Sequence, residues 1–371
     1  MPAGGSVVER PGGRRNQDVD LPDHEGLLSL LVCPSCKAPL FWKDEQLECP
    51  SDHSLRVLKK ESMRCSNILH LDPRGQLPGP LVLKIPLLSD EFVDAPGETE
   101  EEKLHFQVEQ EKSVISSLAR QGFATGPYRV PELVPGAFDG RSILMRRIEG
   151  RSLQEELYGW RSWLRPNQVA EGFERAGRWL GRLTATTASD ILPFDPSEVT
   201  ERTLRFLSDL VDYGHPPDEV QQLADLVDRL GQTPKGEMVA RCLVHGDFRT
   251  SHVLIAPQAV TVIDFEQARS GWAHEDAAFF LASVDGFSAR NPLRRWSPAG
   301  RLVARRFIRG YTAEAPSGWA AIGDFLRVAA MIRALRSNYR GKMAHMMPDL
   351  FRAVVLPHYR RWFEHASERL A

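Results

Sequence analysis

Two short apolar runs near the middle of the chain, each joined to an aspartate, constrain its fold more than any other feature. Residues 242–255 read CLVHGDFRTSHVLI and residues 260–271 read VTVIDFEQARSG. Each contains a strand-length stretch of aliphatic and β-branched residues bounded by polar or turn-forming ones, the pattern of a buried strand. Paired as a hairpin, the two bring Asp247 and Asp264, 17 positions apart, to one spot. Phosphoryl transfer needs this arrangement. One carboxylate orients the attacking hydroxyl and accepts its proton, and the other holds Mg2+ against nucleotide phosphates.

The flanking segments sort into a strand-bearing first half and a helical second half. Residues 61–88 contain ILHLD and LVLKIPLL, separated by the Gly/Pro-rich PRGQLPGP, which reads as strand, turn, strand. Leu104, Val108, Glu111, Ile115 and Leu118 recur at helical spacing, and Gly122 and Gly126 end that helix. RSILMRRIEG (141–150) reads as a buried strand running into a turn. Beyond it the pattern predicts helices over 167–187, 198–212, 218–230, 274–285, 299–314, 319–340 and 348–369. The expected fold class is α+β, with two lobes and a cleft between them. The expected divisions are a disordered tail over 1–23, a small metal-bound module over 24–60, a strand-rich lobe over 61–150, and a helical lobe carrying the catalytic and metal loops over 151–371.

The metal-bound module is read from ligand spacing. Cys33 and Cys36 form a C-x2-C pair, and Cys49 with His53 a C-x3-H pair, inside a hairpin-like segment with a polar turn at Lys43–Gln46. Three thiolates and one imidazole on two short turns suit a closed tetrahedral Zn2+ site, and so small a unit would depend on the metal to fold. The segment resembles the zinc ribbon that opens a class of ribosomal-RNA guanine methyltransferases. That resemblance implies metal binding only, because no methyltransferase glycine motif follows. Cys65 is a weaker substitute ligand.

From the ribbon onward the chain resembles the aminoglycoside and choline phosphotransferase superfamily, the small-molecule branch of the protein-kinase-like fold. Its catalytic loop H-G-D-x-x-x-x-N is matched by His245, Gly246 and Asp247, its I-D-[FW]-[EG] metal motif by Ile263 to Glu266, and its later G-x-x-x-x-D-[LA]-A segment by Gly271, Asp276 and Ala277–Ala278. Upstream, Ser66-Asn67 matches the S-N ahead of a strand, and LMRRIEGRSL (144–153), which includes Met145, matches the hinge. The matches span about residues 58–340, in family order.

The resemblance implies that Asp247 acts as base and Asp264 as metal ligand. It also implies that Lys84 steadies the α- and β-phosphates while paired with Glu111, that Ser66, Asn67 and Met145 line the ATP site, and that His245 fixes the loop. Arg249, two residues past the base, can neutralise charge on the transferred group; a surface role is its alternative. Glu266 can support the metal or cap the turn. Two departures stand out. His252 occupies the place of the family's metal-binding asparagine, which points to Mn2+ in place of Mg2+, to one poorly held metal, or to lost catalysis. The presumed phosphate loop, Glu61–Asn67, has no glycine.

Charge and composition narrow the partners. The formal net charge of −2 argues against a bulk nucleic-acid coat. Five cysteines, three of them at metal-ligand spacing, fit a reducing compartment, and the first 22 residues hold no secretory apolar stretch, so a cytoplasmic location without a membrane span is expected. From Asp285 to Ala371 there are 16 Lys/Arg against 6 Asp/Glu, with Arg294, Arg295, Arg301, Arg305, Arg306 and Arg309 on one stretch and Arg333, Arg336 and Arg340 on another. A positive wall there favours an anionic acceptor over a polycationic aminoglycoside; a solvated basic face is the bland alternative. The expectation is an ATP-dependent phosphotransferase acting on a hydroxyl of a small molecule or glycan. A catalytically impaired nucleotide- or partner-binding module is the alternative, and an enzyme acting on an RNA- or ribosome-associated target ranks third.

Overall fold

The computed structural model describes residues 41–43, 46–48, 54–62, 66–74, 79–87, 96–97, 99–134, 140–291 and 297–370. The expected zinc ligands Cys33, Cys36, Cys49 and His53 lie outside the described residues, as do Arg294 and Arg295. The chain forms two compact units. One comprises the residues up to His105 with Val134–Arg147, the other Phe106–Leu133 with Ile148–Ala371.

The first unit is built on one antiparallel sheet. Its strands are β1 (Phe41–Lys43), β2 (Gln46–Glu48), β3 (Ser54–Ser62), β4 (Ser66–Arg74), β5 (Leu81–Pro86) and β7 (Ile143–Arg146), in the order β1-β2-β3-β4-β5-β7. β1 and β2 pair antiparallel, with Lys43 opposite Gln46. β3 runs through residue 60, where the sequence reading ends the metal-bound module. The two-residue period is visible in β4 and β5: Leu69 and Leu71 are buried from one, Leu81 and Leu83 from the other. Lys84, the polar interruption of that apolar run, is buried too, opposite Ile68 on β4 and Ile143 on β7.

The second unit is mainly helical. Helix α1 (Glu100–Leu118) starts in the first unit and passes into it. A capping box begins α1: Thr99 Oγ1 accepts from Glu102 N and the Glu102 carboxylate accepts from Thr99 N, which answers two of the helix's orphan donors. Its buried residues Val108, Glu111, Ile115 and Leu118 recur every three or four positions, so a carboxylate is carried inward on an apolar stripe.

The remaining helices are α2 (Leu153–Tyr158), α3 (Arg161–Leu164), α4 (Pro166–Thr187), α5 (Ser197–Asp212), α6 (Pro217–Gln232), α7 (Glu275–Arg290), α8 (Val303–Thr312), α9 (Trp319–Tyr339), α10 (Lys342–Met346), α11 (Pro348–Leu350) and α12 (Leu356–Leu370). Two small sheets are set among them. β6 (Tyr128–Arg129), β12 (Val260–Val262), β11 (Val253–Ile255) and β8 (Arg151–Ser152) form one, and β13 (Arg269–Trp272), β10 (Met238–Val244) and β9 (Ile191–Pro193) the other.

α4 and α8 pass at backbone contact. A Cβ added at Gly177 would lie 2.1 Å from Phe307 O, and one at Gly310 only 2.0 Å from Glu174 O, so glycine at both positions is what lets the helices close. That closure packs Phe173, Trp179, Phe280, Phe307 and Tyr311 into one aromatic core with Phe248 and Phe265.

Three helices differ from expectation; the one expected over 274–285 runs on to Arg290. The one expected over 299–314 starts at Val303, because Pro298 and Gly300 hold 297–302 as turns, with Ser297 Oγ accepting from Gly300 N. The one expected over 348–369 is broken by a π-helical turn at Phe351–Val355, just before Pro357, which has no N–H to continue the helical ladder.

Candidate active site

The site in the second unit grows out of the predicted hairpin. β11 and β12 pair antiparallel with Val253 opposite Val262 and Ile255 opposite Val260. Asp247 lies six residues before this hairpin and Asp264 just after it, and Ile263 N donates to His252 O (3.0 Å), which ties the two loops together. Each aspartate is followed by a fully buried phenylalanine, Phe248 and Phe265. Trp179 lies between these rings, stacked on Phe248 (5.8 Å, 18°) and tilted against Phe265 (6.3 Å). Anchoring each ring in the core leaves the neighbouring carboxylate facing its partner.

Backbone geometry is specialised at both loops. Gly246 has φ +81°, and a Cβ there would lie 2.2 Å from Gln267 O, so only glycine fits. Asp264 takes φ +73° without being glycine, a conformation costing about 1–2 kcal/mol that the surroundings must hold. Part of that hold is Glu111, whose Oε1 accepts from Phe265 N (3.2 Å). Glu111, Asp264 and Glu266 can each bring one oxygen within 4.8 Å of the others, and Gln107 Nε2 donates to Glu266 Oε2 (3.2 Å).

The catalytic loop is braced by two groups. Asp276 accepts His245 N (2.6 Å) on one oxygen and Gly246 N (3.0 Å) on the other. Burial pushes its carboxyl up to about 6 despite these two donors. His245 is fully buried, and that burial lowers it to about 4, so the ring is neutral at pH 7. Its Nδ1 accepts from Asp247 N (3.2 Å), which assigns the proton to Nε2, donating to Ile263 O (3.0 Å). His245 therefore fixes loop geometry and has no spare nitrogen.

Asp247, His252 and Asp264 converge, one donor atom from each lying within 4.8 Å of the others. His252 Nδ1 donates to Asp247 O (3.0 Å), which leaves the Nε2 lone pair 3.3 Å from Asp264 Oδ2 and accepting from Arg249 Nε (3.3 Å). Arg249 Nη2 also pairs with Asp247 Oδ2 (2.8 Å). Burial raises the Asp247 pKa, and the Arg249 and Arg333 charges oppose that rise.

Two residues beyond the expected set complete the site: Asp276, quoted in the sequence only as part of a motif, and Arg333. From α9, Arg333 donates to Gly246 O (2.5 Å) and Gln267 Oε1 (2.8 Å), comes within 3.8 Å of Asp247 Oδ1, and lies 4.1 Å above the Phe279 ring. Only its membership of a basic stretch was visible beforehand.

The other expected nucleotide-site residues belong to the first unit. Ser66 and Asn67 are buried at the start of β4, Lys84 is buried on β5, and Met145 is buried on β7. Residues 63–65 of the presumed phosphate loop lie outside the described residues. The basic stretch around α8 is partly neutralised: Arg306 and Arg309 pair with Glu174 (2.9 and 3.0 Å), while Arg301 and Arg305 are exposed. Among the described residues no helix is long and apolar enough to cross a membrane.

No curated protein sequence matches this chain. In fold it is similar to an amicoumacin kinase solved with AMP-PNP, Ca2+ and Ami (14% identity, TM-score 0.53, 94% of this chain and 93% of that one). It is similar also to a glucosamine kinase solved with glucosamine, ADP and inorganic phosphate (14%, 0.52, 94% and 100%). A Plasmodium vivax ethanolamine kinase is a third (11%, 0.50, 82% and 83%). At these identities the likeness is one of fold, and it agrees with the α+β class. Sequence supplies the assignment: residues 73–325, most of the chain and both aspartate loops, match the phosphotransferase enzyme family (APH), and the chain belongs to that family.

Proposed function

We propose that this protein transfers the γ-phosphoryl group of ATP to a hydroxyl of a small molecule or glycan. The observation that carries the proposal is the convergence of buried Asp247 with Asp264 around His252, in a loop braced by Asp276. In this reading the acceptor hydroxyl attacks the γ-phosphorus, its proton passes to Asp247, and the bond to the β-phosphate oxygen breaks as ADP leaves. Arg249 and Arg333 flank Asp247 and offset charge beside the transferred group. Lys84 is assigned to the α- and β-phosphates. Ser66, Asn67 and Met145 are assigned to the ATP site.

The chain's donors suit a divalent cation: one imidazole nitrogen, oriented by its Nδ1–H bond to a backbone carbonyl, beside the Asp264 carboxylate. Asp264 and His252 would hold it, and its chemistry there would be to neutralise phosphate charge. The solved kinases of like fold are named for small acceptors, and two of them hold an adenine nucleotide or its analogue, which supports ATP and a small acceptor. Nitrogen in place of a carboxamide oxygen shifts preference from Mg2+ toward Mn2+. Mn2+ is expected to support faster turnover than Mg2+, and His252→Asn to reverse the order; ADP formation measured across both metals checks this, and an unchanged Mg2+ preference in both proteins would contradict it.

A second reading, a nucleotide-binding module without turnover, is favoured by the Arg249 contacts, which occupy Asp247 Oδ2 and His252 Nε2. Acceptor-stimulated ADP formation over a panel of hydroxylated compounds separates the two, since the module would bind ATP and release no ADP above background. For the N-terminal segment we propose one structural Zn2+ on Cys33, Cys36, Cys49 and His53. Metal analysis should find one equivalent per chain, lost in Cys33→Ser; zinc-free protein that folds normally would rule it out.

A further inference from the structure

Beside the catalytic loop the second unit has a shallow, solvent-open recess. Arg202, Thr203 and Phe206 of α5 line it, with Phe279 of α7 and Ala330 and Arg333 of α9, and Gly246 is at its edge. Arg333 joins the recess to Asp247 directly, through its bond to Gly246 O and its 3.8 Å approach to Asp247 Oδ1.

The hydrogen-bonding capacity of the wall is lopsided. Both of its carboxylates are spent internally. Glu275 Oε2 accepts from Arg202 Nη2 (2.6 Å) and Arg269 Nη2 (2.5 Å), and its Oε1 from Trp272 N (2.8 Å). Asp276 uses both oxygens on His245 N and Gly246 N. The Thr203 hydroxyl donates to Val199 O (2.7 Å). Arg202, by contrast, gives one N–H to Glu275 and reaches Glu198 only at 3.9 Å, although a guanidinium carries five N–H donors. Its head is three-quarters shielded, with the side chain 26% exposed. What the recess has left over is donor capacity on a poorly solvated cation, in a wall that also includes Phe206 and Phe279.

We propose that this recess is the acceptor site and that Arg202 recognises an anionic group, carboxylate or phosphate, on the hydroxyl compound that enters it. The inference rests on the phosphotransferase reading and adds the substrate class. A planar fork with free N–H groups binds either oxyanion by paired charge-assisted hydrogen bonds. Arg333 beside it disfavours a polycationic acceptor. Phe206 and Phe279 supply the apolar sides, and the hydroxyl to be phosphorylated faces Asp247.

Glycerol, glycerate and glycerol 3-phosphate form a matched set of probes: the same hydroxyl carbon frame with no anion, a carboxylate or a phosphate. Binding of each to the full chain is measured by calorimetry, and ADP formation with ATP alongside. At least one anionic probe is expected to bind 10-fold or more tighter than glycerol, and Arg202→Gln to remove that advantage while nucleotide affinity stays the same. The glycerate and glycerol 3-phosphate arms tell carboxylate from phosphate. Glu275 keeps Arg269 in that variant, and Ala330→Leu, which fills the recess, provides a second variant that should weaken the same probe.

Equal binding of all three, or an anionic preference untouched by both variants, overturns the inference. Anion binding that depends on Arg202 without ADP formation would retain the anion site and reject its role in transfer. Transfer to glycerol with no dependence on Arg202 would retain the transferase and reject the anionic acceptor.

Discussion

Asp247→Ala is expected to lower acceptor-dependent turnover by about 10²–10⁴-fold, the range for removing a positioned general base, with nucleotide affinity changed little. The loop should survive the change, because its geometry is held by main-chain groups. Asp247 N is bonded to His245 Nδ1 and Asp247 O to His252 Nδ1, and Asp276 holds the two preceding N–H groups. Only the carboxylate is removed, from between Arg249 and Arg333. Asp247→Asn, which keeps the shape, should lose nearly as much activity; retention of more than a tenth of wild-type turnover in both variants would show that the proton goes elsewhere. The comparison is read in ADP formation at saturating ATP, with nucleotide binding measured on the same samples.

Trp179→Ala should be the most damaging single truncation in the core, costing about 3–5 kcal/mol. The Trp179 side chain is fully buried, its Nε1–H donates to Arg129 O (3.0 Å), and its ring contacts Phe123, Phe248 and Phe265. Truncation opens a cavity between the two phenylalanines that anchor the aspartate loops and leaves a backbone carbonyl without its donor. Stability and turnover should therefore fall together, although the indole touches no reacting group. Urea unfolding followed by circular dichroism gives the first number. A loss below about 1 kcal/mol would mean that the surrounding rings collapse into the space and that the loops do not depend on this floor. Trp179→Phe, which fills most of the cavity but cannot donate, should lie between.

The parts of this site legible in the sequence are those encoded within a short stretch. The hairpin, the two aspartates and His252 fall within 18 residues, so strand period and motif spacing sufficed to bring them together. Long helical patterns were placed closely, whether amphipathic, as for 167–187 against Pro166–Thr187, or buried on most sides, as for 319–340 against Trp319–Tyr339. What escaped depends on distant partners. Arg333 is 87 residues from Gly246, whose carbonyl it binds, and nothing in a run of arginines marks which one turns inward. The fate of Arg306 and Arg309 on Glu174 is likewise set by the α4–α8 contact, so a basic sequence stretch became in part an internal ion-pair cluster. Asp276 was visible as a motif letter, but its task as acceptor for two loop N–H groups follows only from where α7 begins. Glycine was the one long-range signal of the right kind: Gly177 and Gly310 are small because two backbones meet there, yet no local pattern pairs them.

In the proposed function Asp247 and Asp264 serve transfer of a phosphoryl group to an acceptor hydroxyl. Its most direct test follows the γ-phosphate of labelled ATP, with Mn2+ or Mg2+, in the presence of neutral and anionic polyols. The label should appear on an acceptor with the wild-type protein and not with Asp247→Ala. Tight ATP binding with the label remaining on ATP, for every acceptor and both metals, would contradict the claim and leave a nucleotide-binding module in its place.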